Sequence, residues 1–246
     1  MPRYFIEVAY KGTAYSGFQV QKNAITIQAE VEKALSVYFK QSFSLTGASR
    51  TDAGVHALQN FFHFDTEEIL ADIFKGIYSL NAILPRDIVI KKIFPVEANA
   101  HCRFDAVLRE YKYYIYSDKN PFLQDRAYYF PYKIDIDRLN EAASLIMKHE
   151  DFTSFSKRNT QVKNFICNIH KSEWKYEENA LVYNVAANRF LRGMVKGMVG
   201  TMLMLGMNKI SVEEFNSIIL NKDCTRANFS VPAHALFLIK VAYNKY

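Results

Sequence analysis

The stretch RYFIEVAY (Arg3–Tyr10) is the first strand signal in the sequence. Tyr4, Ile6, Val8 and Tyr10 recur at every second position, and residues two apart lie on the same face of a strand. This alternation predicts a β-strand at the start of the chain. The order of the elements that follow the strand indicates the fold class.

A helix, two strands, a second helix and a fourth strand are predicted next. Thr26 can cap the first helix, whose apolar residues recur at helical spacing. Those residues are Ile27, Val31, Leu35 and Tyr38. The apolar stripe of the second helix consists of Ile69, Ile73, Ile77 and Leu80. The strands are predicted at residues 42–46, 57–64 and 88–96. The first hundred residues therefore have the order β-α-β-β-α-β.

The second half of the chain repeats this order. Strands are predicted at residues 110–117, 172–176, 181–187 and 234–243. Helices are predicted after Asp137, over residues 190–205, and after the capping box of Ser211 and Glu214. The sequence thus predicts an α+β protein of two ferredoxin-like (βαββαβ) halves, residues 1–100 and 101–246, with antiparallel sheets. A ligand site is expected in a cleft between such halves.

Composition indicates an ordinary globular protein. Of 246 residues, 50% are hydrophobic and 23% are charged, which argues against a disordered chain. The three cysteines and six histidines show no metal-ligand spacing, and a reduced cytoplasmic protein is the default. The most apolar run, residues 198–207, is too short to span a bilayer, so no membrane association is expected. The net charge of +6 is compatible with a polyanionic partner such as RNA, but equally with an incidentally basic surface.

One loop combines residue types that could do chemistry. The stretch RTDAGVHA, residues 50–57, places Asp52 beside a hydroxyl and close to Arg50 and His56. An Asp followed by a small residue and Gly often only makes a turn. The alternative is a carboxylate that is kept ionised by a neighbouring arginine and held rigidly at a cleft.

Six separated segments, in order along nearly the whole chain, resemble the tRNA pseudouridine synthase A family. They are residues 10–19 (YKGTAYSGFQ), 50–57 (RTDAGVHA), 81–88 (NAILPRDI), 101–113 (HCRFDAVLREYKY), 151–155 (DFTSF) and 188–201 (NRFLRGMVKGMVGT). The resemblance implies an isomerase that converts uridine to pseudouridine, at positions 38–40 in the anticodon stem-loop of tRNA. It also implies a homodimer and a reaction without cofactor or metal.

The resemblance further assigns roles to individual residues. Asp52 matches the essential carboxylate, which could act as a nucleophile or as a base. Arg50 matches an arginine that takes the place of the flipped-out base, and Tyr111 matches the active-site tyrosine. Leu236 matches a leucine near the uracil but could equally be a core residue, and Lys196 stands where the family usually has an arginine that pairs with the aspartate.

Other basic residues could contact RNA phosphates or could simply be solvated. Arg189 and Arg192 are the main candidates, and Lys157, Arg158 and Lys163 are further ones.

Four positions depart from the family pattern: Ser49, Lys196 and, near the last strand, Val231 and Ala235 in place of the usual Ala and Gly. Ser49 replaces a usual glycine, which would cost energy if the position required a positive φ. Lys196 keeps the charge of the usual arginine but lacks its bidentate fork. These departures leave open a divergent pseudouridine synthase acting on another RNA. A non-catalytic RNA-binding module is the alternative from a different class.

Overall fold

The computed structural model describes residues 1–70, 76–158 and 162–246. These residues form two compact units. The first unit consists of Met1–Val107 together with Leu238–Tyr246, and the second is Leu108–Phe237. The protein contains both helices and strands, and its strand pairing is mostly antiparallel, which places it in the α+β class.

The first unit has the element order predicted for residues 1–100. Its elements are β1 (Arg3–Tyr10), α1 (Ile27–Phe39), β2 (Thr46–Gly47), β3 (His56–Asp65), α2 (Gly76–Ile83) and β4 (Ile88–Val96). Strand β1 pairs antiparallel with both β3 and β4, and β2 pairs with β3. The last strand of the chain, β9 (Leu236–Tyr243), is the other neighbour of β3. Strand β1 is therefore an interior strand, which explains its nearly continuous burial.

Helix α1 begins where the sequence predicts. The Thr26 hydroxyl accepts a hydrogen bond from the Ala29 N–H, which caps the helix. Ile27, Val31 and Leu35 are buried, as the helical spacing requires. Of the second predicted stripe, Leu80 is buried in α2, and Ile69 is exposed and lies outside that helix. Ile77 is half-buried in α2, and Ile73 lies outside the described residues.

The prediction of a strand over residues 42–46 is wrong except at residue 46, because β2 contains only Thr46 and Gly47. The backbone groups of Leu45 are bound by side chains of α1 instead. Its N–H donates to Glu32 Oε1 at 2.9 Å, and its carbonyl accepts from Gln28 Nε2 at 2.8 Å. These groups are therefore not available to extend the strand ladder.

The second unit contributes further strands and helices to the described part of the chain. Its elements are β5 (Ala106–Tyr116), β6 (Tyr128–Tyr129), α3 (Ile136–Ile146), β7 (Ile169–Glu177), β8 (Ala180–Ala187), α4 (Met194–Gly206) and α5 (Val212–Leu220). Strand β8 pairs antiparallel with β5 and β7, while the short β6 runs parallel to β5. The capping box of Ser211 and Glu214 at α5 is confirmed.

Two helix starts differ from the predictions. Helix α3 is capped by Asp135, whose carboxylate accepts from the N–H groups of Asp137 and Arg138, and not by Asp137. Helix α4 begins at Met194 rather than at residue 190, because Gly193 adopts a left-handed conformation with a φ of 74°. A left-handed residue cannot belong to a right-handed helix, so the helix starts after it.

The predicted division at residue 100 assigns the end of the chain to the second half. In the structure, residues 238–246 pack with the first unit instead. Tyr243 and Tyr246 lie against Phe5, with ring centroids 5.5 and 5.3 Å from it. The Tyr243 hydroxyl also donates to the Cys102 carbonyl at 2.6 Å. Strand β9 itself starts at Leu236, because residues Ala233–Ala235 form a 3₁₀ turn. In the part of the chain that is described, every helix is too short or too polar to cross a membrane.

Candidate active site

The loop that carries Asp52 is a tight turn with its neighbours buried on both sides. The Val55 N–H donates to the Asp52 carbonyl at 3.2 Å, and Gly54 has a φ of 81°. This is the geometry of a type II turn, which requires a residue such as glycine at its third position. Thr51 and Val55 are buried, whereas Asp52 is only half-buried and Arg50 is exposed. The turn therefore presents the carboxylate while its flanks are anchored.

A buried polar network fixes the first side of this loop to β1 and β3. The Thr51 hydroxyl lies 2.8 Å from the Tyr10 hydroxyl. Asn60 Nδ2 donates to the same tyrosine oxygen and to the Ser49 carbonyl, at 3.2 and 2.8 Å. Burial raises the pKa of Tyr10 to about 12, so this hydroxyl keeps its proton at neutral pH.

His56 and two glycines fix the other side of the loop. The Gly12 N–H donates to His56 Nδ1 at 3.0 Å, so the histidine acts here as a buried acceptor. A Cβ atom on Gly12 would lie 2.0 Å from the Val55 carbonyl oxygen, and only glycine allows this approach. Gly17 has a φ of 106° and lies beside the backbone of Thr51, which receives the Phe18 N–H at 3.1 Å.

Ser49 is accommodated without a positive φ, so its replacement of the usual glycine does not strain the backbone. Its hydroxyl is buried and, within the described residues, has no hydrogen-bond partner.

The segment of residues 81–88 also supports the loop. The Asn81 side chain forms two hydrogen bonds with the backbone of Ile90 in β4. It donates to the Ile90 carbonyl at 2.9 Å and accepts from the Ile90 N–H at 2.8 Å. Asp87 accepts the Tyr15 hydroxyl at 2.5 Å, and its carbonyl accepts the Lys11 N–H at 2.8 Å. These contacts hold residues 11–15, which include Gly12, in place beside the loop.

Tyr111 lies in the second unit, on β5, opposite Val185 of β8. Its ring is almost completely buried and meets the ring of Phe190 edge-on, with centroids 5.1 Å apart. Phe190 follows directly after the segment of Asn188 and Arg189. The arrangement fixes the tyrosine ring by packing and leaves little freedom for its orientation.

Leu236 is buried at the start of β9. The residues that precede Leu236 form hydrogen bonds with β5 and with the loop that follows β5. The Tyr113 hydroxyl donates to the Pro232 carbonyl at 2.9 Å, and His234 Nε2 lies 3.2 Å from the Ala127 carbonyl oxygen.

The remaining predicted residues surround the start of α4. Arg189 and Lys196 are half-buried, and Arg192 is exposed. The stem of Lys157 passes over Gly193, where a Cβ would come within 2.9 Å of it. These cations lie at the positive pole of a 13-residue helix, which adds to the local positive potential.

Lys157 is one of three further candidates; of the other two, Arg158 is within 3.9 Å of Asp223, and Lys163 is exposed. The structure thus brings Arg50 and Asp52 together on one loop of the first unit. Arg189, Arg192 and Lys196 lie in the second unit, which also contains Tyr111 and Leu236.

A cluster that the spacing in the sequence did not indicate is formed by His63, His101 and Cys102, whose ligand-type atoms lie within 4.8 Å of one another. His101 Nδ1 accepts the N–H groups of Arg103 and Phe104, at 3.1 and 3.3 Å. Its other ring nitrogen therefore carries the proton in the neutral ring, which leaves no lone pair for a cation. Burial, followed by the charges of His101 and Arg3, lowers the pKa of His63 to about 4. The cluster is consistent with a neutral, hydrogen-bonded support for this part of the unit.

Comparison with known proteins establishes the family. A family model described as tRNA pseudouridine synthase matches residues 6–105 and 142–244. The chain belongs to this family.

Its relatives match over nearly their whole length. It is 44% identical to the tRNA pseudouridine synthase A of Azobacteroides pseudotrichonymphae genomovar. CFP2, over 99% of this chain and 97% of the relative. It is 43% identical to the tRNA pseudouridine synthase A of Parabacteroides distasonis, over 99% and 96% of the two chains. Identity to the Bacillus subtilis protein of the same name is 36%, over 96% and 97%.

Several supporting residues were not found from the sequence. Phe190 lies 79 positions after Tyr111, and Asn60 lies 50 positions after Tyr10, so their contacts have no local signature. The pairing of Asp87 with Tyr15 could have been suspected, since both residues lie in segments that resemble the family.

Proposed function

We propose that this protein isomerises uridine to pseudouridine in tRNA. The observation that carries the proposal is Asp52, half-buried on an anchored turn within the segment RTDAGVHA of a chain that belongs to the tRNA pseudouridine synthase family. The C1′–N1 bond breaks, the uracil turns, and a C1′–C5 bond forms. N1 gains a proton and C5 loses one. The reaction is a redox-neutral rearrangement, so it needs no oxidant or reductant, and the family resemblance implies that it uses neither a cofactor nor a metal.

Asp52 supplies the anion that each route through this reaction requires. As a nucleophile its carboxylate attacks the sugar or the base, and as a base it removes a sugar proton to give a glycal. Both routes require a carboxylate in a fixed position, and the type II turn with its buried flanks provides one. A rigid attacking group lowers the entropic part of the barrier.

Arg50 and Tyr111 act on the flipped nucleotide. Arg50 is exposed two residues before Asp52 and takes the place of the base that leaves the stack. Tyr111 stacks on the uracil, and its hydroxyl relays the C5 proton. The packing of Phe190 against its ring supports this role, because a fixed ring loses less entropy on stacking. Leu236 packs on the uracil as an apolar contact.

Lys196 provides the cation that pairs with Asp52, in place of the family's usual arginine. It lies in the first turn of α4, and its charge favours the ionised carboxylate. Arg189 and Arg192 contact RNA phosphates. Their support is their position at the positive pole of the same helix.

The substrate and the assembly follow the family resemblance. We place the target uridines at positions 38–40 of the anticodon stem-loop and propose a homodimer built from subunits with two ferredoxin-like halves. The order β-α-β-β-α-β of residues 1–100 supports the description of the first half. None of the three cysteines, all of which lie in the described part of the chain, forms a disulfide, which favours the reducing cytoplasm.

A tritium-release assay tests the function. The protein is incubated with tRNA that carries tritium at uridine C5, and tritium in water is measured. We expect release in proportion to the pseudouridine formed, because every uridine that is isomerised loses its C5 hydrogen. Tight binding of tRNA without release would identify a non-catalytic RNA-binding module instead. Release only from other RNAs would identify a divergent synthase.

A further inference from the structure

Residues 101–105 form a turn that is closed on itself by hydrogen bonds. Asp105 Oδ2 accepts the His101 N–H at 2.7 Å, and the Asp105 N–H donates to the His101 carbonyl at 3.0 Å. His101 Nδ1 accepts the N–H groups of Arg103 and Phe104. Cys102 is buried, and its thiol donates to the Thr46 carbonyl at 3.1 Å. The turn is therefore held in one conformation by hydrogen bonds within residues 101–105 and by the bond between Cys102 and Thr46.

This rigid turn carries an exposed aromatic side chain. Phe104 is 74% exposed, although apolar residues of its size are usually covered. One side of its ring contacts the His101 ring, with centroids 4.2 Å apart. The Arg103 guanidinium lies 5.7 Å from the ring centroid, within the range of a cation–π contact. Phe104 is thus a supported platform beside a positive charge.

Next to Phe104 lies a surface depression of about 250 Å³. Its lining includes Phe18, Gly47, Arg50, Arg103 and Phe104. A Cβ on Gly47 would come within 2.2 Å of the Phe18 ring, so glycine lets this ring pack directly against the backbone in the lining of the depression. Arg50 connects the depression directly to the loop that carries Asp52.

We propose that this depression binds one unpaired nucleoside of the tRNA, other than the target uridine. The base stacks on Phe104, and Arg103 contacts the adjoining phosphate. A single-stranded nucleoside is the occupant that fits these groups, because its base offers a flat face to the ring and its phosphate offers a negative charge to the arginine. The net charge of +6 favours the same partner. The inference rests on the proposed activity on tRNA.

A matched pair of variants tests the platform. Phe104→Ala should weaken tRNA binding by about tenfold, the typical loss when one stacked base loses its aromatic partner. It should raise KM for tRNA and leave kcat at saturating tRNA unchanged, since stacking contributes equally to ground and transition states. Phe104→Trp should restore binding. Phe122→Ala is the control, because Phe122 is also a largely exposed phenylalanine, at 81%. It should bind tRNA like the wild type.

An abasic scan identifies the nucleoside. Anticodon stem-loop RNAs that each lack one unpaired base are bound to the wild type and to Phe104→Ala. At the stacked position, loss of the base should weaken wild-type binding by about tenfold and should not weaken binding to Phe104→Ala any further. Thermal unfolding of each variant confirms that it is folded.

Three results would overturn the inference. They are unchanged tRNA binding by Phe104→Ala, additive losses at every position of the scan, or coupling confined to the target uridine. Failure of the proposed function is a separate result, since it appears as the absence of tritium release by the wild type. Binding without release, together with coupling at a non-target base, would retain the nucleoside site and reject the activity.

Discussion

Gly12 and His56 are joined by a buried hydrogen bond, in which the Gly12 N–H donates to His56 Nδ1 at 3.0 Å. The bond links the turn after β1 to the first residue of β3, directly behind the loop that presents Asp52. Gly12 and His56 both belong to segments that resemble the family, and this one contact gives each of them a structural role. The role of His56 is structural rather than that of a base, because its Nδ1 already accepts the hydrogen bond from the Gly12 N–H.

His56→Ala should lower the free energy of unfolding by about 1–3 kcal/mol, because it leaves the buried Gly12 N–H without this acceptor. Urea unfolding measures the change. His170→Ala is the control, since His170 is exposed on the second unit and should change stability by less than about 0.5 kcal/mol. Equal stability of the two variants would show that the bond contributes nothing.

Asp52→Asn should reduce tritium release to background while tRNA binding and the thermal unfolding midpoint stay near those of the wild type. The amide has nearly the same shape as the carboxylate but lacks the charge that the reaction uses. Single-turnover release and a binding titration are measured on the same preparation. Substantial residual release would reject Asp52 as the catalytic carboxylate.

Tyr111→Phe should bind tRNA like the wild type but form less pseudouridine. The phenylalanine ring keeps both the stacking surface and the edge-on contact with Phe190, so only the hydroxyl is lost. The measurement is kcat against KM for tRNA, with kcat expected to fall and KM to stay constant. Wild-type turnover would leave stacking as the only role of Tyr111.

Lys196→Met should lower kcat, because it removes the proposed cation next to Asp52 and keeps much of the apolar stem. Lys196→Arg should retain activity, since the charge is preserved. Lys209→Met, at an exposed lysine just after α4, is the control and should behave like the wild type. If the Met and Arg variants at position 196 were equally active, Asp52 would need another partner.

Arg192→Ala should weaken tRNA binding and make it less sensitive to salt. Each cation that contacts a phosphate contributes roughly one unit to the slope of log affinity against log salt, so the slope should become shallower by about one unit. Binding titrations at several salt concentrations give this slope. The same slope for the variant and the wild type would place Arg192 outside the RNA contact.

The sequence by itself determined the features that depend on neighbouring residues. Alternation predicted β1, helical spacing together with Thr26 predicted α1, and the box of Ser211 and Glu214 predicted the start of α5. These signals are local, because side-chain periodicity and capping involve residues at most a few positions apart. The resemblance of six segments identified the family, which the comparisons confirmed.

Only the tertiary structure decided the features that depend on residues far apart in the chain. Side chains of α1 form hydrogen bonds with the backbone N–H and carbonyl of Leu45. These bonds prevent the strand that the sequence of residues 42–46 predicts. Residues 238–246 join the first unit through contacts with β1 and β3. His63 meets Cys102 across 39 positions, and the turn that carries Phe104 is built over that contact. Such pairings arise from packing and buried hydrogen bonds between distant segments, and no local pattern in the sequence encodes them.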